Sequence, residues 1–333
     1  MINKCMVRQL DIDTLIMRNG IFTHPFIEVK KTFSVRMTNQ KRRNFVNLHL
    51  NKSKLKFSRL FKVWQDTVNF KRIKQAMNDN HIDYEWMSEL EMLTKQFIEA
   101  EFKPYLAARV TESGTAMAKL IDRELNKKFN MSMVEVKQFN FNGASSRTID
   151  YINNQAFHLI TWVSQGIIEI YRNTFSFMKD NNFSIQNAQS LLRDVTPLQV
   201  TGPYNYNRVL NYHQALVTEG VLTPKQIASK VKVRALKMKQ LRVELIARTE
   251  LSRAYNFGNQ ETIRQAQDAG LVSKPKKKRI VVMDGNEQHG DMNGEIREMD
   301  EAYSNGEMYP GESSYNCRCV EEYILDDTME AAA

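Results

Sequence analysis

The sequence has few of the residues that build disulfide-rich or turn-rich proteins. Its 333 residues include 3 cysteines, 13 glycines and 7 prolines. So few cysteines exclude a disulfide framework and fit a reducing compartment. Few glycines and prolines favour a mostly helical chain. No apolar run approaches the roughly 18 residues of a transmembrane helix, and no apolar stretch follows Met1–Cys5, so we expect neither a membrane span nor a signal peptide.

Composition and periodicity indicate a globular, helical protein. Hydrophobic residues make up 42% of the chain, enough for a sizeable core. We predict an α-rich, α+β fold, with an elongated helical body and a small C-terminal α+β domain. The expected parts are a basic N-terminal docking arm (1–80), the helical body (81–271), the α+β domain (272–325) and a disordered tail (326–333).

Two helices of the predicted body matter for the argument. Thr223 to Gln226 is a capping box with proline at the first helical position, so a helix starts there. A longer helix is expected from about 237 to 269, with Gly270 as its C′ residue. Glu250 lies on the inward face of that helix. A buried carboxylate needs a partner, which Arg248, Asn256 or a backbone amide could supply.

Positive charge is concentrated near the N-terminus. Between Glu28 and Lys74 there are 14 Lys or Arg and 2 Asp or Glu, a net +12 in a chain of net +9. Such a segment is a plausible footprint for phosphates. The aromatic residues among these cations are expected to be buried rather than stacked on bases. The candidate DNA-binding residues are Lys30, Lys31, Arg36, Lys41, Arg42, Arg43, Lys52, Lys54, Lys56, Arg59 and Lys62.

A second basic run, Lys274 to Arg279, resembles a nuclear localisation signal. We interpret it instead as a solvated loop.

The segment from Ile280 to Cys319 holds most of the unusual residue choices. His289 follows Asp284 by five residues, and Asn293-Gly294 is a strong turn signal because both residues tolerate positive φ. A strand opening at Asn316-Cys317-Arg318-Cys319 would place both sulfurs on one face. We predict that this strand pairs with Ile280–Met283, which brings both cysteines near His289.

These motifs, taken in order, resemble the C-terminal domain of phage Mu protein F-like minor head (head-morphogenesis) proteins of tailed bacteriophages. The motif residues are Arg248, Glu250, Asn256, Asn293, Gly294 and Asn316, together with His289, Cys317 and Cys319. The chain departs from the family pattern in one place. That pattern has an arginine shortly before the histidine, and Gly285 to Gln288 contain none.

The resemblance implies a virion structural and assembly protein rather than an enzyme. It would be a minor head protein that docks at the portal or inner capsid and serves head morphogenesis, DNA packaging or delivery. The implied partners are the portal protein, the major capsid protein and packaged double-stranded DNA, with one or several copies per particle and no membrane. The implied location is the head interior or portal vertex, and the host cytoplasm during assembly.

The C-terminal motifs leave two chemical readings open. Asp284, His289, Cys317 and Cys319 could hold one zinc ion. Alternatively no cofactor is bound, the cysteines are small buried residues and His289 holds the turn by hydrogen bonds. An alternative function, a metal-dependent hydrolase or nuclease using Asp284 and His289, would use the basic segment to grip its substrate. The chain has no nucleophile elbow, Walker A sequence or His-Glu-x-x-His motif.

Overall fold

The protein is described here from a computed structural model, which covers residues 32–79, 83–129, 139–200, 202–283 and 289–326. Within these ranges the helices are α1 (Asn39–Thr67), α2 (Phe70–Asp79), α3 (Tyr84–Phe97), α4 (Lys103–Phe129), α5 (Ser146–Asp180), α6 (Ile185–Val195), α7 (Asn207–Glu219) and α8 (Pro224–Asp268). A short π-helix, Ile98–Phe102, joins α3 to α4. The strands are β1 (Thr32–Arg36), β2 (Ser273–Ile280), β3 (Ile296–Glu298) and β4 (Val320–Asp326). The prediction of a helical body with a small α+β part is confirmed.

None of the described helices is both long enough and apolar enough to cross a membrane.

Helix α8 is the element on which the site is built. The predicted capping box is present: Thr223 Oγ1 accepts a hydrogen bond from the Gln226 amide at 3.4 Å, and Gln226 Oε1 accepts one from the Thr223 amide at 2.9 Å. No glycine or proline interrupts residues 225–257, so the two helices expected in this region are one helix of 45 residues. It ends as predicted, with Gly270 at φ +71°.

The main core lies between α8 and the helices that precede it. The inward face of α1 contributes Phe57, Leu60, Phe61 and Trp64, all fully buried, which confirms that these side chains pack in the core rather than face a ligand. Trp64 Nε1 donates to Thr94 Oγ1 at 2.9 Å, so the indole N–H keeps a partner in the interior.

The four strands form one antiparallel sheet in the order β1-β4-β2-β3. Side chains of α4 and α8 cover one face of it; the buried cluster includes Met117, Ile121, Tyr255, Ile263, Val320, Tyr323 and Leu325. The predicted pairing of the last strand with the segment before the turn is present, with Ile280 opposite Val320. The first of these strands lies earlier than expected, at Ser273–Ile280 rather than 280–283.

The N-terminal basic segment is not a separate arm in the part that the structure describes. Strand β1 pairs with β4 along its whole length, with Val35 opposite Tyr323, and α1 packs in the main core. The described residues from Thr32 onward therefore form one compact unit. The described ranges on either side of residue 80 have no domain boundary between them, because apolar residues at helical spacing among the cations of α1 pack that helix into the main core.

The run from Lys274 to Arg279 is β2, not a solvated loop. Lys277 and Arg279 alternate inward along the strand and are fully buried. Lys277 Nζ donates to the carbonyls of Met308 at 2.7 Å and Met299 at 3.3 Å. Partners elsewhere in the chain satisfy these two charges, so the run of cations in the sequence does not by itself indicate that the side chains are buried.

Candidate functional site

Three metal-ligating side chains meet at the end of the sheet. His289 Nδ1 lies 3.8 Å from the Cys317 sulfur and 3.7 Å from the Cys319 sulfur. One ligating atom from each of the three residues lies within 4.8 Å of the other two. Both cysteines are free thiols and are buried. The fourth predicted ligand, Asp284, lies outside the described residues.

The two cysteines are held by their backbone as much as by their side chains. They precede β4, which begins at Val320, and both sulfurs face His289 as the alternation predicts. The Cys317 carbonyl accepts from the Arg42 guanidinium at 3.4 Å, and the Cys319 carbonyl accepts from Asn256 Nδ2 at 3.3 Å. Helices α1 and α8 therefore both fix the spacing of the sulfurs.

The histidine is positioned by a tight turn against β2. Gly294, at φ +87°, occupies a position that side chains disfavour, and its amide donates to the Arg279 carbonyl at 2.8 Å. Asn293 Oδ1 accepts from the Val281 amide at 3.0 Å. The turn predicted at Asn293-Gly294 thus ties the segment that follows His289 to the end of β2.

The proton on the His289 ring is placed by its neighbours. Ser314 Oγ donates its proton to Glu307 Oε1 at 2.8 Å, so it can only accept at its contact with His289 Nε2, at 3.1 Å. Nε2 therefore donates to Ser314 Oγ, and Nδ1 is the nitrogen that faces the two sulfurs.

Glu307 is ionised and anchors this arrangement. Burial alone would raise the pKa of its carboxyl. Hydrogen bonds from Asn305, Ser314 and Arg279, with the charge of Arg279, outweigh burial and hold the pKa at about 2. Arg279 Nη2 lies 2.9 Å from Glu307 Oε2, and both side chains are almost fully buried. The carboxylate is an acceptor only, as the Ser314 contact requires.

The two thiols differ in pKa. The hydrogen bond from Cys317 lowers the pKa of Cys319 to about 7 against the opposing effect of burial, and the Arg279 charge adds to it. The same hydrogen bond, with burial, raises the pKa of Cys317. Thiolate character is therefore concentrated on Cys319, beside the arginine.

Sequence reasoning missed four residues of this site: Arg42, Arg279, Glu307 and Ser314. Arg42 was assigned to DNA and Arg279 to a loop. Glu307 and Ser314 lie in a polar stretch with no pattern that marks them. Arg279 lies in an unbroken run of cations, so no polar–apolar alternation in the sequence marks it as inward-facing.

The buried carboxylate of α8 has partners other than those predicted. Glu250 accepts from Gln155 Nε2 at 2.8 Å and pairs with Arg253 at 2.8 Å. Arg248 pairs instead with Glu244, at 2.9 Å. Asn256 Nδ2 donates to the carbonyl of Pro310 at 2.7 Å, so it holds the C-terminal loops against the helix.

The last motif residue, Asn316, has φ +52°, and its amide donates to Thr249 Oγ1 at 3.0 Å.

The candidate DNA-binding residues divide into three groups within the described residues, and two more lie outside them. Arg42 is buried and donates to Ser252 Oγ at 2.8 Å, so it is withdrawn as a phosphate ligand. Ion pairs hold three others: Lys54 with Glu244, Lys56 with Glu101, and Lys62 with Asp66. The exposed candidates without an ion pair to a described residue are Arg36, Lys41, Arg43, Lys52 and Arg59. Lys30 and Lys31 lie outside the described residues.

Comparison with known proteins gives one finding for this chain. No curated protein and no solved structure matches it significantly. Residues 211–322, from α7 into β4, match the family described as Phage Mu protein F like protein. The match includes His289, Cys317 and Cys319, but not β1 or Arg42. The C-terminal part of this chain, residues 211–322, is therefore similar to the family described as Phage Mu protein F like protein.

Proposed function

We propose that this protein is a minor head protein, a virion component that docks at the portal or the inner capsid wall and contacts packaged DNA during packaging or delivery. The family match over residues 211–322 carries the proposal. It supports a structural role, with the portal protein, the major capsid protein and double-stranded DNA as partners.

The exposed side of α1 is the surface we assign to this docking. Lys41, Leu48, Lys52, Leu55 and Arg59 follow one another at spacings of seven, four, three and four residues, which places them on one face of the helix. We call them the α1 stripe. Leu48 is 72% exposed and Leu55 is 61% exposed. A row of large apolar side chains between cations is suited to a partner surface that is both apolar and acidic, or to phosphates beside a protein contact.

Particle composition tests the main proposal. In the phage that encodes this chain, mass spectrometry of purified virions should detect the protein, and disrupting its gene should reduce the yield of DNA-filled heads seen by electron microscopy. A complementing wild-type copy should restore them. A protein absent from virions, with normal heads after disruption, would overturn the assignment.

Docking by the α1 stripe is tested in the same system. Leu48→Ser with Leu55→Ser should leave the thermal unfolding midpoint near that of wild type, because both side chains are exposed, and should lower incorporation into heads. Val221→Ser is the matched control, since Val221 is 82% exposed but lies outside the α1 stripe. Equal incorporation of all three proteins would remove the stripe as the docking surface.

DNA contact is tested separately by salt dependence. Lys52→Ala with Arg59→Ala should reduce the slope of log affinity against log salt by roughly one unit per lost phosphate contact. The matched control is Lys54→Ala with Lys56→Ala, because both lysines already pair with glutamates. An identical slope in wild type and both variants would show that α1 does not bind DNA.

The geometry gives no support to His289 as the general base of the alternative hydrolase. A general base needs a ring nitrogen free to accept a proton from substrate or water. In His289, Nε2 is engaged by Ser314 and Nδ1 faces the two sulfurs.

A further inference from the structure

We propose that His289, Cys317 and Cys319 form a zinc site whose role is structural, joining the turn after β2 to the start of β4. The proposal goes beyond the assembly role and does not depend on it. It rests on the spacing of the ligating atoms, the orientation of the imidazole and the residues that hold the ligands from behind.

The spacing from the imidazole to both sulfurs is close to that of a tetrahedral site. Zinc binds sulfur at about 2.3 Å and nitrogen at about 2.0–2.1 Å, so tetrahedral angles place nitrogen and sulfur ligands about 3.6 Å apart and two sulfurs about 3.8 Å apart. The observed distances from Nδ1 to the sulfurs are 3.8 and 3.7 Å. All three ligating atoms lie within 4.8 Å of one another, so binding an ion requires the two sulfurs to approach each other by at most about 1 Å.

The imidazole is already oriented as a metal requires. Nε2 donates to Ser314, and Nδ1 is the nitrogen turned toward the sulfurs. The order His289, Ser314, Glu307 is a hydrogen-bonded chain that ends in a carboxylate, with contacts of 3.1 and 2.8 Å. Such outer partners orient ligating histidines in known metal sites.

The donor set and its surroundings select zinc. Two sulfurs and one imidazole suit zinc and exclude magnesium and calcium, which prefer oxygen. The cysteines are buried and His289 is half-buried, and water or a further ligand could complete the tetrahedron at the fourth position. Arg279 and Arg42 lie close enough to offset the charge of the thiolates.

A structural role follows from what the site joins. His289 and Cys317 are 28 residues apart in sequence, and the segment between them contains only one short strand, β3. Four of its apolar residues, Met292, Met299, Tyr303 and Tyr309, are buried, and hydrogen bonds and buried charges hold the polar stretches between them. A metal bridge would lower the entropy of the open segment and add folding free energy.

The test uses the full chain, purified without chelators. Elemental analysis should find about one zinc per chain, falling below about one tenth in Cys317→Ser with Cys319→Ser, because the thiolates supply most of the binding free energy. The matched control, Cys5→Ser, removes the third cysteine of the chain and should keep its zinc. Replacing zinc by Co²⁺ should give visible ligand-field bands of tetrahedral cobalt and a near-ultraviolet thiolate charge-transfer band.

Two further measurements keep the test decisive if the double variant folds poorly. In wild type, a chelator should lower the melting temperature, and added zinc should restore it and protect two thiols from alkylation. Ser314→Ala, which keeps every ligand, should weaken zinc binding by about 10- to 100-fold through loss of the outer contact. Wild-type protein with no bound zinc, no cobalt charge-transfer band and a melting temperature indifferent to both chelator and zinc would overturn the proposal.

Discussion

The buried ion pair behind the site gives the sharpest quantitative prediction. The structure gives the Glu307 carboxylate six hydrogen bonds, and the carboxylate is the acceptor in all of them. Oε2 accepts from Arg279 and Asn305, and Oε1 accepts from the amides and hydroxyls of Ser313 and Ser314. Glu307→Gln would place an amide NH₂ against donors at one end or the other.

The expected loss of unfolding free energy at pH 6 follows from the contacts that remain in Glu307→Gln. With its amide oxygen toward the serines, the glutamine turns NH₂ toward Arg279, whose side chain is fully buried. Leaving one partner of a buried ion pair uncompensated typically destabilises by about 3–5 kcal/mol. The proposed zinc ligand His289 keeps its outer contact through Ser314 and the amide oxygen, so on that proposal metal content should not change.

The pH dependence gives an independent magnitude. The pKa of Glu307 is about 2 in the folded protein, against about 4.3 when unfolded, and about 1.4 kcal/mol per unit makes this worth about 3 kcal/mol at most. Because the folded pKa is the lower one, this stability is fully present above about pH 4.3 and is lost as pH falls toward 2. The difference between wild type and Glu307→Gln should therefore shrink on acidification.

The assay is urea unfolding at several pH values between 3 and 6, with Arg279→Met and the double variant added. Replacing both partners removes the unpaired charge, so the double variant should be more stable than Glu307→Gln alone. A loss below about 1 kcal/mol at pH 6, the size expected of an exposed pair, or parallel pH profiles in wild type and Glu307→Gln, would refute the reasoning.

Three other changes have definite expected outcomes. Burial raises the pKa of Asp194 to about 6 from an unfolded value of about 3.9, so its contribution to the free energy of unfolding is greatest below pH 4 and falls as pH rises to 6. The free energy of unfolding of Asp194→Asn should equal that of wild type at pH 4 and exceed it by up to about 3 kcal/mol at pH 7. A difference that stays constant with pH would contradict this. Gly258→Ala would place a Cβ 2.7 Å from the Val110 carbonyl oxygen, and should destabilise by about 1–3 kcal/mol in thermal or urea unfolding; a neutral result would show that α4 and α8 can separate freely. Asp284→Ala should weaken zinc binding in a competition titration if Asp284 is the fourth ligand, and unchanged affinity would leave that position to solvent.

The sequence by itself determined the local structure and the motif of the C-terminal part. A capping residue such as Thr223 acts within a few positions of itself, so the helix start that it predicts is present. Two-residue periodicity was enough to place Cys317 and Cys319 on one side and to predict their approach to His289. The family resemblance also rested on short-range motifs, and the match to residues 211–322 confirms it.

Only the tertiary structure decided what the charged residues do. A cation in sequence is read as exposed because burying a lone charge is unfavourable, yet Arg42, Lys277 and Arg279 are buried since distant carbonyls, hydroxyls and Glu307 reach them. For the same reason the partners of Glu250 were found on α5 and one turn along α8, not where the motif suggested them. Pairing between β1 and β4 joins residues almost 300 positions apart, and no local pattern records it: backbone hydrogen bonds fix such a contact, and they are nearly independent of residue type.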